Sequence, residues 1–142
     1  MRVAVLNGVN LDVVGRRDPE LYGGLNIREL ESRIFEWGME LELNVTCRQT
    51  NNEGEYVDWC HDALDWADGV ILNPGAWSHY SYAIRDAVEL FKVPVVEVHL
   101  SNIEGREEWR RTSVIGDLAT KRVSGEGPEG YRTAIAFLAG RE

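Results

Sequence analysis

Apolar, β-branched runs recur along the chain at residues 2–6, 43–47, 69–72 and 93–98, with a weaker and more polar one at 120–124. They predict strands. Between them the apolar positions take helical spacing. Ile27, Leu30, Ile34, Trp37 and Leu41 form one stripe, behind Asn26 and Glu29 spaced as a capping box. Val57, Cys60, Leu64 and Ala67 form a second behind Asn52 and Glu55. Ala83, Ile84, Ala87, Val88 and Phe91 make a third, which stops before Val93-Pro94, as the residue preceding a proline disfavours helix. Tyr131, Ile135 and Leu138 mark a last helix. No repeat, linker or low-complexity segment interrupts the pattern, so residues 1–142 are expected to form one domain.

Alternation of strand and helix predicts an α/β architecture: a parallel sheet with helices on both faces, joined by right-handed crossovers. For five strands the common order is 2-1-3-4-5, and such sheets bind ligands beyond the carboxyl ends of the strands, where the first and third are neighbours. The first predicted strand ends in Asn7-Gly8-Val9-Asn10, the third in NPGAWSH (73–79), and the fourth in EVHLSN (97–102). Asparagines, two histidines, a carboxylate, a hydroxyl and nearby arginines thus meet at one crevice. The stretch NGVNLDVVGRRDPELYG (7–23) has too many glycines, charges and turn residues for a packed element. It is expected to be a long mobile loop.

Several occupants of such a crevice are set aside. Neither GxGxxG nor GxxxxGK[ST] follows the first strand, so a dinucleotide or nucleoside triphosphate lacks its backbone cradle. A phosphoacceptor domain wants carboxylates where Asn7 and Asn73 stand. No GxSxG elbow activates a serine. Zinc would have to use His79 and His99 from different loops with no third ligand signalled, so no metal or other cofactor is expected.

Acid–base chemistry remains. Residues two apart on a strand point to the same side, so Glu97 can hold the tautomer of His99 and make it a proton donor; a half-buried polar pair at a strand end fits the same spacing. Tyr22 is a base only if a nearby cation stabilises its phenolate, and Arg17 lies in the same segment. By spacing alone Tyr22 reads equally as a packed turn aromatic, and Arg16 and Arg17 as a solvated pair. A mobile segment carrying the base would close over a ligand and shed water.

Composition narrows the partners. A net charge of −9 with acidic residues scattered over helices argues against nucleic acid. No apolar run approaches the roughly 20 residues that span a bilayer, and residues 1–4 lead into a strand with no signal-peptide pattern. A cytoplasmic protein is expected, with no membrane partner. Cys47 and Cys60 lack metal or redox spacing and read as small core residues.

NGVNL followed by GRRDPELYG, then TNNEGE, NPGAWSHYSYAIRDA and VPVVEVHLSNIEGREEWRRTS together resemble the successive motifs of the type II 3-dehydroquinate dehydratases. The resemblance runs from Arg2 to about Ser113 and returns weakly at Gly130-Tyr131-Arg132. It implies a flavodoxin-like three-layer fold and a cofactor-free dehydration of 3-dehydroquinate to 3-dehydroshikimate, in aromatic biosynthesis or quinate breakdown. Carried over, Tyr22 is the base with Arg17 beside it, Asn10 holds a water against the enolate oxygen, and His99, oriented by Glu97, protonates the departing hydroxyl. Asn73, His79, Leu100, Ser101 and Arg110 grip the substrate, and Asp86 reaches a neighbouring subunit's site, which implies trimers assembled as a dodecamer. Val9 stands where the family has proline, while Trp77, Tyr80 and Tyr82 replace tyrosine, threonine and a small aliphatic residue. Tyr80 and Tyr82 therefore leave open an altered cyclic hydroxy-ketone substrate. A noncatalytic paralogue binding a carboxylated polyol is the other alternative, against which Tyr22, Arg17 and His99 all stand.

Overall fold

In the computed structural model, which describes residues 1–141, the five runs are strands. They are β1 (Arg2–Asn7), β2 (Asn44–Gln49), β3 (Gly69–Asn73), β4 (Val95–His99) and β5 (Lys121–Ser124). All pair in parallel, in the order β2-β1-β3-β4-β5 that the alternation predicts. The polar run 120–124 is a strand because it lies at the sheet edge, where Val123 alone must be buried.

The helices are α1 (Pro19–Tyr22), α2 (Ile27–Glu40), α3 (Glu53–Ala63), α4 (Tyr82–Val88), α5 (Glu108–Arg111) and α6 (Glu129–Leu138). Asn26 and Glu29 form the expected capping box of α2, and the Asn52 side chain caps α3 through the amide of Glu55. Successive strand residues serve opposite faces. Val3, Val5, Ile71, Val96 and Val98 pack with α2 and α6, whereas Ala4, Leu6, Val70, Leu72 and Val95 pack with α3 and α4. The face of α3 differs from the expected stripe. Tyr56, Cys60 and Ala63 are buried and Leu64 is partly exposed, because the Tyr56 hydroxyl donates to the Leu6 carbonyl at 2.8 Å and so enters the core with its polar end satisfied.

The segment after β1 corrects the expectation of an unpacked loop. Residues Leu11–Arg16 form two 3-10 turns that meet at a kink at Val13, and α1 follows, with Leu11, Val14 and Tyr22 all buried in the α2/α6 side of the core. Leu11 and Val14 flank that kink, and both enter the core. Asp18 caps α1 through the Glu20 amide, and Pro19 opens it. Two glycines then bring the ends of β1 and β3 together. A β-carbon on Gly8 would lie 2.4 Å from the Pro74 carbonyl oxygen, and one on Gly75, whose φ is +65°, 2.6 Å from that of Val9. Among the described residues no helix is long and apolar enough to cross a membrane.

Candidate active site

Beyond the carboxyl ends of β1, β3 and β4 lies a cleft lined by Asn10, Arg17, Tyr22, Asn73, His79, His99, Leu100, Ser101 and Arg110, joined by Val9, Arg106 and Trp109. All but two of the expected site residues line it. The first exception is Glu97, which lies behind His99. The second is Asp86, which is exposed on α4 and does not line the cleft of its own chain.

The floor is a set of hydrogen bonds that leaves little freedom. Tyr131 of α6 donates its hydroxyl to Asn7 Oδ1 at 2.6 Å and accepts from Asn73 Nδ2 at 2.9 Å, while Asn73 Oδ1 accepts from the Gly75 amide at 3.2 Å. Asn10 adopts a left-handed conformation, which asparagine tolerates, and its amide donates to Asn51 Oδ1 at 2.8 Å. Gly125 and Gly127, after β5, donate to the carbonyls of Ser101 and Leu100 and hold the chain that leaves β4.

Tyr22 has two arginines. Arg17 stacks its guanidinium 3.9 Å from the ring centroid, and Arg106 Nη1 donates to the phenolic oxygen at 2.5 Å and to Ser101 Oγ at 3.2 Å. Arg106 is the functional residue that spacing does not reveal. It sits in the same EGREEWRR segment as Arg110, and its role depends on a contact across 84 positions. Burial lowers the pKa of Arg17 and the charges of Arg110 and Arg106 lower it further, against the opposing influence of Tyr22. Three guanidiniums therefore face one cleft in a protein of net charge −9. Such a local reversal of sign suits an anionic ligand.

On the other side, His99 Nε2 donates to Glu97 Oε2 at 2.6 Å, as residues two apart on β4 predict. Nδ1 is left to serve the cleft. Glu97 is completely buried and also accepts from Ser113 Oγ at 2.6 Å and Arg122 Nε at 3.0 Å. Burial is the strongest single influence and opposes its charge. The hydrogen bond and charge of His99, the Ser113 bond and the charge of Arg122 together outweigh it, and the Glu97 pKa falls below the ordinary 4.5. A depressed carboxylate contributes stability that is full above that value and lost as pH falls through the lower, folded one. In melts taken from about pH 6 to pH 3, wild type should therefore lose more Tm than Glu97→Gln; parallel curves would remove Glu97 from the acid sensitivity.

His79 donates Nδ1–H to the Thr112 carbonyl at 2.7 Å, which leaves Nε2 for a ligand, and its ring meets Trp109 edge-on at 5.3 Å. Its pKa is lowered, first by burial, and the charges of His99 and Arg110 add to this against the Thr112 bond. Arg110 donates Nε to Glu107 at 2.5 Å and stacks on Trp109, so its terminal nitrogens remain for an anion. The substituted aromatics do not line the cleft of their own chain. Trp77 is buried against Tyr56, and Tyr80 and Tyr82, 59% and 67% exposed, lie outside that lining. Both cysteines are free, and burial pushes their thiols up to about 12, so neither is a thiolate nucleophile near neutral pH.

Residues 1–139 match the model of the family described as dehydroquinase class II. A 3-dehydroquinate dehydratase from Salinispora tropica is 50% identical over 141 residues, 99% of each chain, and one from Bacillus licheniformis is 46% identical over 136 residues, 96% of this chain and 94% of that one. The crystal structure of the type II dehydroquinase from Propionibacterium acnes superposes with a TM-score of 0.94 at 44% identity, covering 98% of this chain and 96% of that chain. With its sheet order, its cleft and its sequence all in agreement, this chain belongs to the class II dehydroquinase family.

Proposed function

We propose that the protein is a lyase that dehydrates 3-dehydroquinate to 3-dehydroshikimate through an enolate, with Tyr22 as base and His99 as acid. The observation that carries this reading is a phenolic oxygen bonded to Arg106, its ring covered by Arg17, in the same cleft as a histidine held by a buried carboxylate. A phenolate there removes the proton beside the ketone. Asn10, through a water, stabilises the enolate oxygen, a dipole aimed at charge that develops only during reaction. The ring hydroxyl then leaves as water with a proton from His99 Nδ1, and Glu97 keeps the remaining neutral imidazole protonated on Nε2. One proton is gained by Tyr22 and one lost by His99. Exchange with solvent resets both.

Arg110 forks onto the substrate carboxylate, and Asn73, His79, Ser101 and the Leu100 backbone take its hydroxyls. Adding 3-dehydroquinate to the folded, assembled protein should produce the absorbance of a conjugated enone. Absence of that signal would remove the proposal.

The functional unit in this reading is a cytoplasmic trimer, assembled further into a dodecamer, in which Asp86 completes a neighbour's cleft. Its exposure on α4, outside its own cleft, supports that role. Asp86→Ala and Tyr22→Phe assemblies should each be nearly inactive. After unfolding and refolding together at equal amounts, about a quarter of the sites should carry both intact residues and recover activity. No recovery would place Asp86 in its own chain's site or in none.

A further inference from the structure

The arrangement behind Glu97 is not used by the cleft itself. Glu97 and Arg122 stand opposite each other in the β4–β5 register. Arg122 lies on an edge strand with 43% of its side chain exposed, and could extend wholly into water; it instead donates Nε to a carboxylate with no exposure at all. Gly116 makes room for this. A β-carbon there would lie 2.9 Å from Arg122 Cζ and 3.0 Å from Nε, and the Gly116 φ is not left-handed, so its missing side chain serves the guanidinium and not a turn.

We propose that Arg122 is a positioning residue for the dehydration: it holds Glu97 charged and in one orientation, and Glu97 in turn aims the His99 ring at the cleft. This rests on the reading of His99 as the acid. The groups facing Glu97 are His99 on its own strand, Arg122 on β5 and Ser113 after α5, with His79 and the buried, neutral Tyr56 of α3 at longer range. Of these, Arg122 carries a permanent positive charge, and Ser113 is neutral. Without Arg122, burial is opposed only by His99 and Ser113, so the Glu97 pKa rises, one oxygen loses its partner, and the carboxylate's hold on the imidazole loosens. Outer partners of this kind act through the group they orient.

The test compares wild type with Arg122→Met, Arg122→Lys and Gly116→Ala. It reads kcat and KM across pH, together with carbon-13 titration of the Glu97 carboxyl, whose resonance is assigned by its loss in Glu97→Gln. Arg122→Met should lower kcat about tenfold, the low end for a hydrogen bond to a charged group, and leave KM within about twofold, since it touches no substrate. The acid limb of kcat and the Glu97 titration should both move to higher pH. Arg122→Lys should recover part of each change. Gly116→Ala, which displaces the guanidinium and keeps the charge, should move both in the same direction by less, and decides the matter if Arg122→Met does not fold. Unchanged kcat, pH profile and carboxyl titration in folded Arg122→Met would overturn the proposal. Wild type without dehydratase activity would overturn the assigned function instead, while an unshifted Glu97 titration would still overturn the hold of Arg122 on Glu97.

Discussion

Tyr22→Phe should lose turnover by about a thousandfold, within the range a general base contributes, while binding a non-reacting carboxylated polyol about as tightly as wild type. The phenyl ring is retained, so the buried contacts with the α2/α6 core and the stacking of Arg17 persist. Only the ionisable oxygen goes. Arg106 loses that acceptor but keeps Ser101 Oγ at 3.2 Å, so the cleft's charge and shape change little. Calorimetric binding set beside the enone assay would separate the two quantities. A variant that retained more than about a tenth of wild-type kcat would show that another group takes the proton. A variant that failed to bind would make Tyr22 a structural aromatic whose loss is felt through packing.

The fold is largely legible along the chain because β1 to β4 fall on apolar runs and α2 and α3 begin with recognisable caps. β5 is faint for a physical reason. Lys121, Arg122 and Ser124 flank a single buried valine on an edge strand, so the run has polar composition and still pairs along β4. The segment after β1 is misread because its charges obscure Leu11 and Val14, three apart, and the Asp18-Pro19 start of α1. In α3, a tyrosine with an internal hydrogen-bond partner outcompetes the leucine that spacing favours.

The cleft is legible where strand ends supply it, since topology alone brings the ends of β1, β3 and β4 together. Asn10, Asn73, His79, His99 and Ser101 are found in this way. Arg106 and Arg122 are not, and for a shared reason. Each matters through one long-range contact, with Tyr22 across 84 positions and with Glu97 across 25, and nothing local distinguishes either from a surface arginine. Asp86 is the converse case. Its residue type and resemblance single it out, whereas its own chain gives it nothing to do in the cleft.

His99→Asn should lower dehydration by about a hundredfold or more, as loss of a general acid does, and yet leave the first half of the reaction running. Tyr22, Arg17 and Arg106 form one cluster and His99, Glu97, Ser113 and Arg122 another, and no hydrogen bond joins them among the described residues. If the base and the acid act in separate steps, the enolate forms without His99 and is reprotonated when the hydroxyl cannot leave. In deuterated water, His99→Asn should therefore exchange the substrate proton beside the ketone much faster than it makes enone, whereas Tyr22→Phe should do neither. Mass spectrometry of recovered substrate measures the exchange directly. Loss of exchange in His99→Asn to the same degree as dehydration, with substrate still bound, would mean that proton removal and hydroxyl departure are concerted, and the enolate would have to be withdrawn. Asparagine removes both ring nitrogens and is too short to reach the position of Nε2, which leaves Glu97 with only Ser113 and Arg122, so His99→Gln, whose longer amide can still donate to Glu97, is measured beside it. A fall in exchange shared by His99→Gln then reports chemistry and not a collapsed β4 end.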